Sequence, residues 1–186
     1  MKTAHHLLLA ATAAAACMIL TATAQETTTN SIATDAPAPV VATNKIVLTV
    51  VKVDSEETAG ENGRGTNAVD GITNTIWHTQ WQDANPEHPH EIIIELTPPS
   101  TIKGFTYLPR QDDMDNGSIG DYEFYTSDDG VDFGQPVKKG TFGSTKDKKT
   151  VTFEPRQCRF IKLKALSEIN DAAWTSAAEI SVVTND

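Results

Sequence analysis

Glu91-Ile92-Ile93-Ile94-Glu95-Leu96 and Arg159-Phe160-Ile161-Lys162-Leu163-Lys164-Ala165 are the two stretches whose reading decides the fold. In the first, Ile92, Ile94 and Leu96 alternate with Glu91 and Glu95; in the second, Ile161, Leu163 and Ala165 alternate with Lys162 and Lys164. Successive side chains of a strand point to opposite faces, so each stretch predicts a strand with one buried and one wet face. That pattern belongs to antiparallel pairing and not to βαβ units, whose strands are buried on both sides.

Outward from these, further runs of β-branched and aromatic residues predict strands over 46–53, 102–108, 122–127, 150–153 and 179–183. None is long enough for a helix. Asp129-Gly130, just after the 122–127 run, predicts a hairpin turn, because glycine takes a positive φ without steric penalty. The sum is an all-β fold, a single-domain antiparallel β-sandwich or jelly roll. Such a sandwich carries its functional side chains on loops at one end. The longest loops, 55–82 and 109–121, hold Glu61, Asp70, His78, Trp81, Arg110 and Asn116.

The N-terminal part reads differently. Lys2, His5 and His6 precede an apolar, alanine-rich run over 7–20 and then Ala22-Thr23-Ala24, the pattern of a secretory signal peptide over 1–24. At 14 residues the run is shorter than the roughly 20 needed to cross a bilayer core. Cys17 invites a lipidation reading, against which Ala14 stands where a large aliphatic side chain belongs. Residues 25–44, with five Thr, two Pro and almost no large apolar side chain, predict a flexible, disordered linker. Residues 45–186 form the domain, and all 11 glycines fall inside it. Export to the periplasm, cell surface or medium is the expected location.

With the signal removed only Cys158 is left, so an internal disulfide is excluded and stability must come from other sources. The chain has 25 acidic and 15 basic residues, a net charge of −10, or −11 without Lys2. That balance argues against nucleic acid and against anionic membrane lipid as partners.

Ala68-Val69-Asp70-Gly71, then Thr75-Ile76-Trp77-His78-Thr79-Gln80-Trp81, then His88-Pro89-His90 stand in a characteristic order. Gly104-Phe105-Thr106-Tyr107-Leu108-Pro109-Arg110-Gln111, Asn116-Gly117, Tyr122-Glu123-Phe124-Tyr125 and Ser176-Ala177-Ala178-Glu179-Ile180 continue it. Over 55–183 the chain thereby resembles the galactose-binding family 32 carbohydrate-binding modules of the discoidin (coagulation factor type C) superfamily. The resemblance implies a galactose-binding-like sandwich without catalytic residues. It also implies contact of a terminal galactose or N-acetylgalactosamine with His78, Arg110 and Asn116, and an acidic partner at Glu61.

The residues support that chemistry independently. A sugar site needs an aromatic surface for the C–H face of a pyranose and a few placed polar groups for its hydroxyls. Trp81 and Trp174 can supply the surface, while His78, Arg110, Asn116 and Glu61 offer mixed donors and acceptors. Trp77 is expected in the core. The resemblance further implies a structural calcium ion held by the side chains of Asp70, Thr75 and Glu179 and the carbonyls of Asn67, Ile72 and Ala178. Oxygen donors in a bent loop suit that hard cation, and a metal-free turn at Asp70 is the competing reading. Asp112-Asp113-Met114-Asp115 lacks calcium-loop spacing and reads as a solvated loop tip beside the sugar site. His88 and His90 flank Pro89 at a position suited to fixing the start of a strand.

Two other function classes compete. A glycosidase needs paired carboxylates in a cleft, and the sequence offers no such pair with a supporting motif. A cell-surface protein–protein adhesion module could use the same loops, since Trp and Arg are also favoured interface anchors. Separate carbohydrate-active enzymes are the expected companions of a glycan-binding module.

Overall fold

The computed structural model describes Lys45–Asn185; the expected signal peptide, linker and Cys17 lie outside the described residues. Eight strands follow one another: β1 Val47–Val53, β2 Trp77–His78, β3 His90–Leu108, β4 Asp121–Ser127, β5 Lys138–Thr141, β6 Lys149–Ala165, β7 Ser176–Ala177 and β8 Glu179–Thr184. One 3-10 turn, Gly65–Val69, interrupts the first long loop. Among the described residues no helix is long and apolar enough to cross a membrane.

β3 and β6 form a long antiparallel pair, running from His90 opposite Ala165 to Tyr107 opposite Lys149, with β4 and β5 between them in the chain. Their neighbours change along its length. β1 pairs with the first half of β3 and β4 with the second half of β6, whereas β8 pairs with Ile102–Leu108 at the far half of β3. The register shifts between Glu95 and Ser100, across Pro98-Pro99, and again between Ile102 and Gly104, opposite Pro155. Proline has no N–H to give the ladder, so the strands bulge there and bend. The expected breaks at 97–101 and 154–158 are therefore bulges inside continuous strands, a correction to the separate strands that the alternation predicts.

The bend lets the two layers face each other. Phe105 on the far half of β3 stacks on Phe124 of β4, with centroids 4.0 Å apart and planes 2° from parallel. Phe142 stacks on Tyr122 at 4.1 Å and on Tyr107 at 5.0 Å. Trp77, Ile92, Ile94, Leu96, Ile102, Ile161 and Leu163 complete the core, as the period-two reading and the assignment of Trp77 require. The other face is not simply wet: Ile93 joins Tyr125 and Phe133 in a small second cluster, over which the Lys162 ammonium lies 4.4 Å from the Phe133 centroid. Cys158 is a core side chain whose burial pushes its thiol up to about 11.

β2, β5 and β7 carry no alternation signal. β2 and β7 have two residues each, and every residue of β5 is exposed. Asp129-Gly130 does turn the chain, with Gly130 at φ +74 and the Asp129 carboxylate accepting the Val131 and Asp132 amides, but within a loop that reaches from Ser127 to Lys138.

One buried carboxylate organises the first loop. Glu57 Oε1 accepts the amides of Ala59 and Gly60 at 2.7 and 2.8 Å, and Oε2 accepts those of Trp81 and Gln82 at 2.8 Å each. These bonds, the Trp81 amide foremost, hold its carboxyl at about 2 against an ordinary 4.5. They favour the ionised form over the effect of burial. The stabilisation is complete above the ordinary value and is lost as pH falls from 4.5 toward about 2. Glu57→Gln turns an amide donor toward N–H groups that need an acceptor. We expect its melting temperature to fall below the parent's near neutral pH and the gap to close in that acid window. A gap independent of pH in thermal melts would contradict the assignment.

Candidate functional site

β2 and β7 are short but they set the site. Trp77 pairs with Ala177 and His78 with Ser176, which brings the first long loop against the chain before β8. Trp77 is anchored in the core and donates Nε1 to the Ser55 carbonyl at 2.9 Å. His78 is therefore held on the opposite side. It is buried, and its Nδ1 donates to the Thr79 carbonyl at 2.7 Å. Burial lowers its pKa, so at neutral pH the ring is neutral and Nε2 is left as an acceptor.

Trp174 is fixed from both sides. The Thr175 amide donates to Thr79 Oγ1 at 2.9 Å, and the Thr79 amide to the Thr175 carbonyl at 2.9 Å. His88 Nε2 meets Thr175 Oγ1 at 3.0 Å. On the other flank His90 donates Nε2 to the carbonyls of Ala173, at 2.9 Å, and Pro86, at 3.2 Å, and Nδ1 to Asp54 at 2.7 Å. Every partner of that ring is an acceptor. Burial disfavours its charge, but the Asp54 and Ala173 bonds outweigh it and raise the pKa, so His90 is a buried imidazolium. His88 and His90 thus do more than start β3: they hold the segment that carries Trp174. Trp174 Nε1 is buried and has no hydrogen-bond partner.

Arg110 follows β3 and is buried at 7% exposure. Its Nε and Nη2 clasp Asp112 at 2.7 and 2.5 Å, and Nη1 donates to the Asn116 carbonyl at 3.3 Å. Two of its five N–H groups are left free. The Arg110 bond holds the Asp112 carboxyl below the usual range. Asp112 therefore orients the arginine, a role that the reading of 112–115 as a solvated tip misses. Asn116 is placed by Ser176, whose Oγ donates to its carbonyl at 2.9 Å. At Gly117, with φ +81, an added Cβ would sit 2.7 Å from the Ser176 amide nitrogen. Only glycine permits that crossing.

Trp81 lies over the first loop with Nε1 donating to Glu61 Oε1 at 3.0 Å, and 39% of it is exposed. A Cβ at Gly60 would stand 2.6 Å from the indole, so the bare backbone there is what lets the ring settle. The outcome is a cavity of about 290 Å³ walled by Glu61, His78, Trp81, Arg110, Met114, Asn116 and Trp174. All six expected residues meet in it, and Met114 joins them. No local pattern marks Met114; its loop is drawn in because Lys146 Nζ donates to the carbonyls of Asp112 and Met114.

The expected metal residues gather at another corner. The Asp70 carboxylate accepts the Ile72 amide at 2.8 Å and lies 2.7 Å from Thr75 Oγ1, which is also 2.8 Å from the Ile72 carbonyl. One hydroxyl proton cannot serve both acceptors. Glu179 opens β8, which packs against the 3-10 turn that holds Asn67. Its Oε1 is buried without a partner, and its pKa is raised by burial and by the nearby charge of Asp70. Ala178, wholly buried, directs its amide to the Leu108 carbonyl at 2.9 Å. Asn67 is buried, with its side-chain amide donating to the Asn62 and Ile76 carbonyls. Among the described residues no three His, Cys, Asp or Glu side chains converge as a metal group, so an ion here would depend on hydroxyl and carbonyl oxygens beside the two carboxylates.

Comparison with known proteins places this geometry. Residues 51–180 match the F5/8 type C domain family. A sialidase of Micromonospora viridifaciens is 36% identical over 157 residues, or 84% of this chain; the chain spans 24% of the sialidase. CpGH89CBM32-5 of Clostridium perfringens, solved in complex with GalNAc-β-1,3-galactose, superposes with a TM-score of 0.67 at 34% identity, covering 74% of this chain and 95% of its own. The family 32 CBM of Clostridium perfringens NanJ, in complex with galactose, gives a TM-score of 0.62 at 29% identity, covering 73% and 92%. The chain belongs to the F5/8 type C domain family, as a β-sandwich of the family 32 carbohydrate-binding-module type.

Proposed function

We propose that the domain binds a terminal galactose or N-acetylgalactosamine in the Trp81–Trp174 cavity, without catalysis, and that it is exported to act on glycans beside separate carbohydrate-active enzymes. The observation that carries this reading is the convergence of two indoles, Trp81 and Trp174, with His78, Arg110, Asn116 and Glu61 on one cavity. An aromatic surface for the ring face beside mixed donors and acceptors for the hydroxyls is the chemistry that a sugar needs. The bound sugars of the two solved relatives support the same reading.

Each group has a distinct part. The indole of Trp81 offers a surface to the apolar ring face, and His78 and the two free N–H groups of Arg110 bracket a hydroxyl. Galactose has about 12 non-hydrogen atoms, and at roughly 0.3 to 0.5 kcal/mol per atom it would bind in the millimolar to tens-of-micromolar range. In titration calorimetry we expect His78→Ala and Arg110→Ala each to lose about 1.5 to 3 kcal/mol and the preference for galactose over glucose. Trp81→Ala should weaken every sugar that binds. Folded His78→Ala and Arg110→Ala proteins that bind galactose as the parent does would overturn the site. Because the neutral ring is the acceptor, affinity should be level through neutral pH and fall as acid protonates His78 below its lowered pKa.

We further infer that the Asp70 corner holds a structural calcium ion. Asp70, Thr75 and Glu179 would ligate through side chains and Asn67, Ile72 and Ala178 through carbonyls. The orphaned Glu179 Oε1 and the double contact of Thr75 Oγ1 support this, since a cation satisfies oxygens that one proton cannot. When bound, the ion supplies charge that ties the first loop to β8. Ligand binding to the folded state alone adds about 2.7 kcal/mol at a hundredfold excess over Kd. Calcium should therefore raise the melting temperature, a chelator should lower it, and Glu179→Gln should abolish the difference. Coincident melts with and without calcium would refute the site.

A further inference from the structure

A second cleft adjoins the aromatic cavity. Its volume is about 330 Å³, and Glu61 stands in the wall of both. The loops contribute alternately. Glu61 and Arg110 face the cavity, while their chain neighbours Asn62 and Gln111 line the cleft together with Asn74 and Asp112. Asp112 also clasps Arg110, so the two spaces share a rigid partition.

Their chemistry differs. The cavity has two indoles and a thioether; the cleft has no aromatic residue and is walled by amides, hydroxyls and carboxylates around one aliphatic side chain, Ile76. Asn62 and Asn74 are exposed, and among the described residues their side-chain amides bond to no protein group. Gln111 is held in place because its Nε2 donates to the carbonyls of Pro109, at 2.8 Å, and Lys146, at 3.0 Å, which leaves Oε1 as an acceptor. Amides that both donate and accept match the edge hydroxyls of a pyranose that has no stacking platform. Glu61 and Asp112 line the cleft and no Lys or Arg side chain does, which favours a neutral occupant over an acidic one.

We propose that this cleft is a second saccharide subsite, taking the neutral hexose that adjoins the sugar in the aromatic cavity. The domain then reads a disaccharide end, and this rests on the carbohydrate reading above. The test titrates the full chain and Asn62→Ala/Asn74→Ala with methyl β-galactoside and with neutral galactose-terminated disaccharides of several linkages. Both substituted side chains are exposed and unbonded, so the variant should fold, which circular dichroism checks. At least one disaccharide should bind roughly threefold to tenfold more tightly than the monosaccharide, the gain expected of one or two hydrogen bonds. The double variant should lose that gain and keep its monosaccharide affinity. Disaccharides that bind no more tightly than the monosaccharide, or a gain that survives the double substitution, would overturn the subsite alone. A parent that binds neither ligand would overturn the carbohydrate reading and the subsite with it.

Discussion

The pairing of β3 with β6 is the constraint on which the rest of the domain depends. β1, β4 and β8 each hydrogen-bond to one of these two strands, and β5 joins only through β4. Because the neighbours differ at the two ends of this pair, its bend decides which side chains meet across the core. Pro98, Pro99 and Pro155 lie at the register shifts, where a missing amide donor would leave a straight ladder incomplete. The Phe105–Phe124 stack then seals the fold across the layers. A buried free cysteine adds apolar volume there and no cross-link.

On that frame the loops are positioned by two buried charges of opposite sign. Glu57 collects four backbone amides, and His90 gives its two protons to a carboxylate and to carbonyls. Burying a charge is unfavourable unless its hydrogen bonds are complete, and here each charge is matched to groups that would otherwise be unsatisfied themselves. The consequence is functional. Glu57 holds the backbone of Trp81, and His90 holds the residue before Trp174, so the two indoles that wall the cavity are each set by an ion that never touches it. The remaining wall follows the same logic, with Asp112 orienting Arg110 and Ser176 placing Asn116.

Strands and site were legible in the sequence to different depths. Alternation located parts of β3 and β6, because which face a strand residue occupies depends only on its position modulo two, and runs of β-branched and aromatic residues located β1, β4, β8 and the rest of β3 and β6. Alternation could not show that β3 and β6 run through their prolines, since a bulge depends on what the partner strand offers. β2, β5 and β7 escaped for a related reason: two-residue pairs and an exposed edge strand bury too little to leave a pattern.

The ring of six side chains around the cavity was legible through motif order and through residue chemistry, as indoles, a histidine and an arginine on polar loops. What the sequence by itself determined is therefore the sandwich class, the loops that carry function and the kinds of group available there. The tertiary structure alone decided that Glu57 reaches amides 24 and 25 residues away, that Met114 is drawn into the wall by Lys146, and that Asp112, on its exposed loop tip beside the site, also clamps Arg110. Burial, and the hydrogen-bond partners that burial demands, are properties of chain segments brought together in space, whereas alternation and composition are properties of one segment alone.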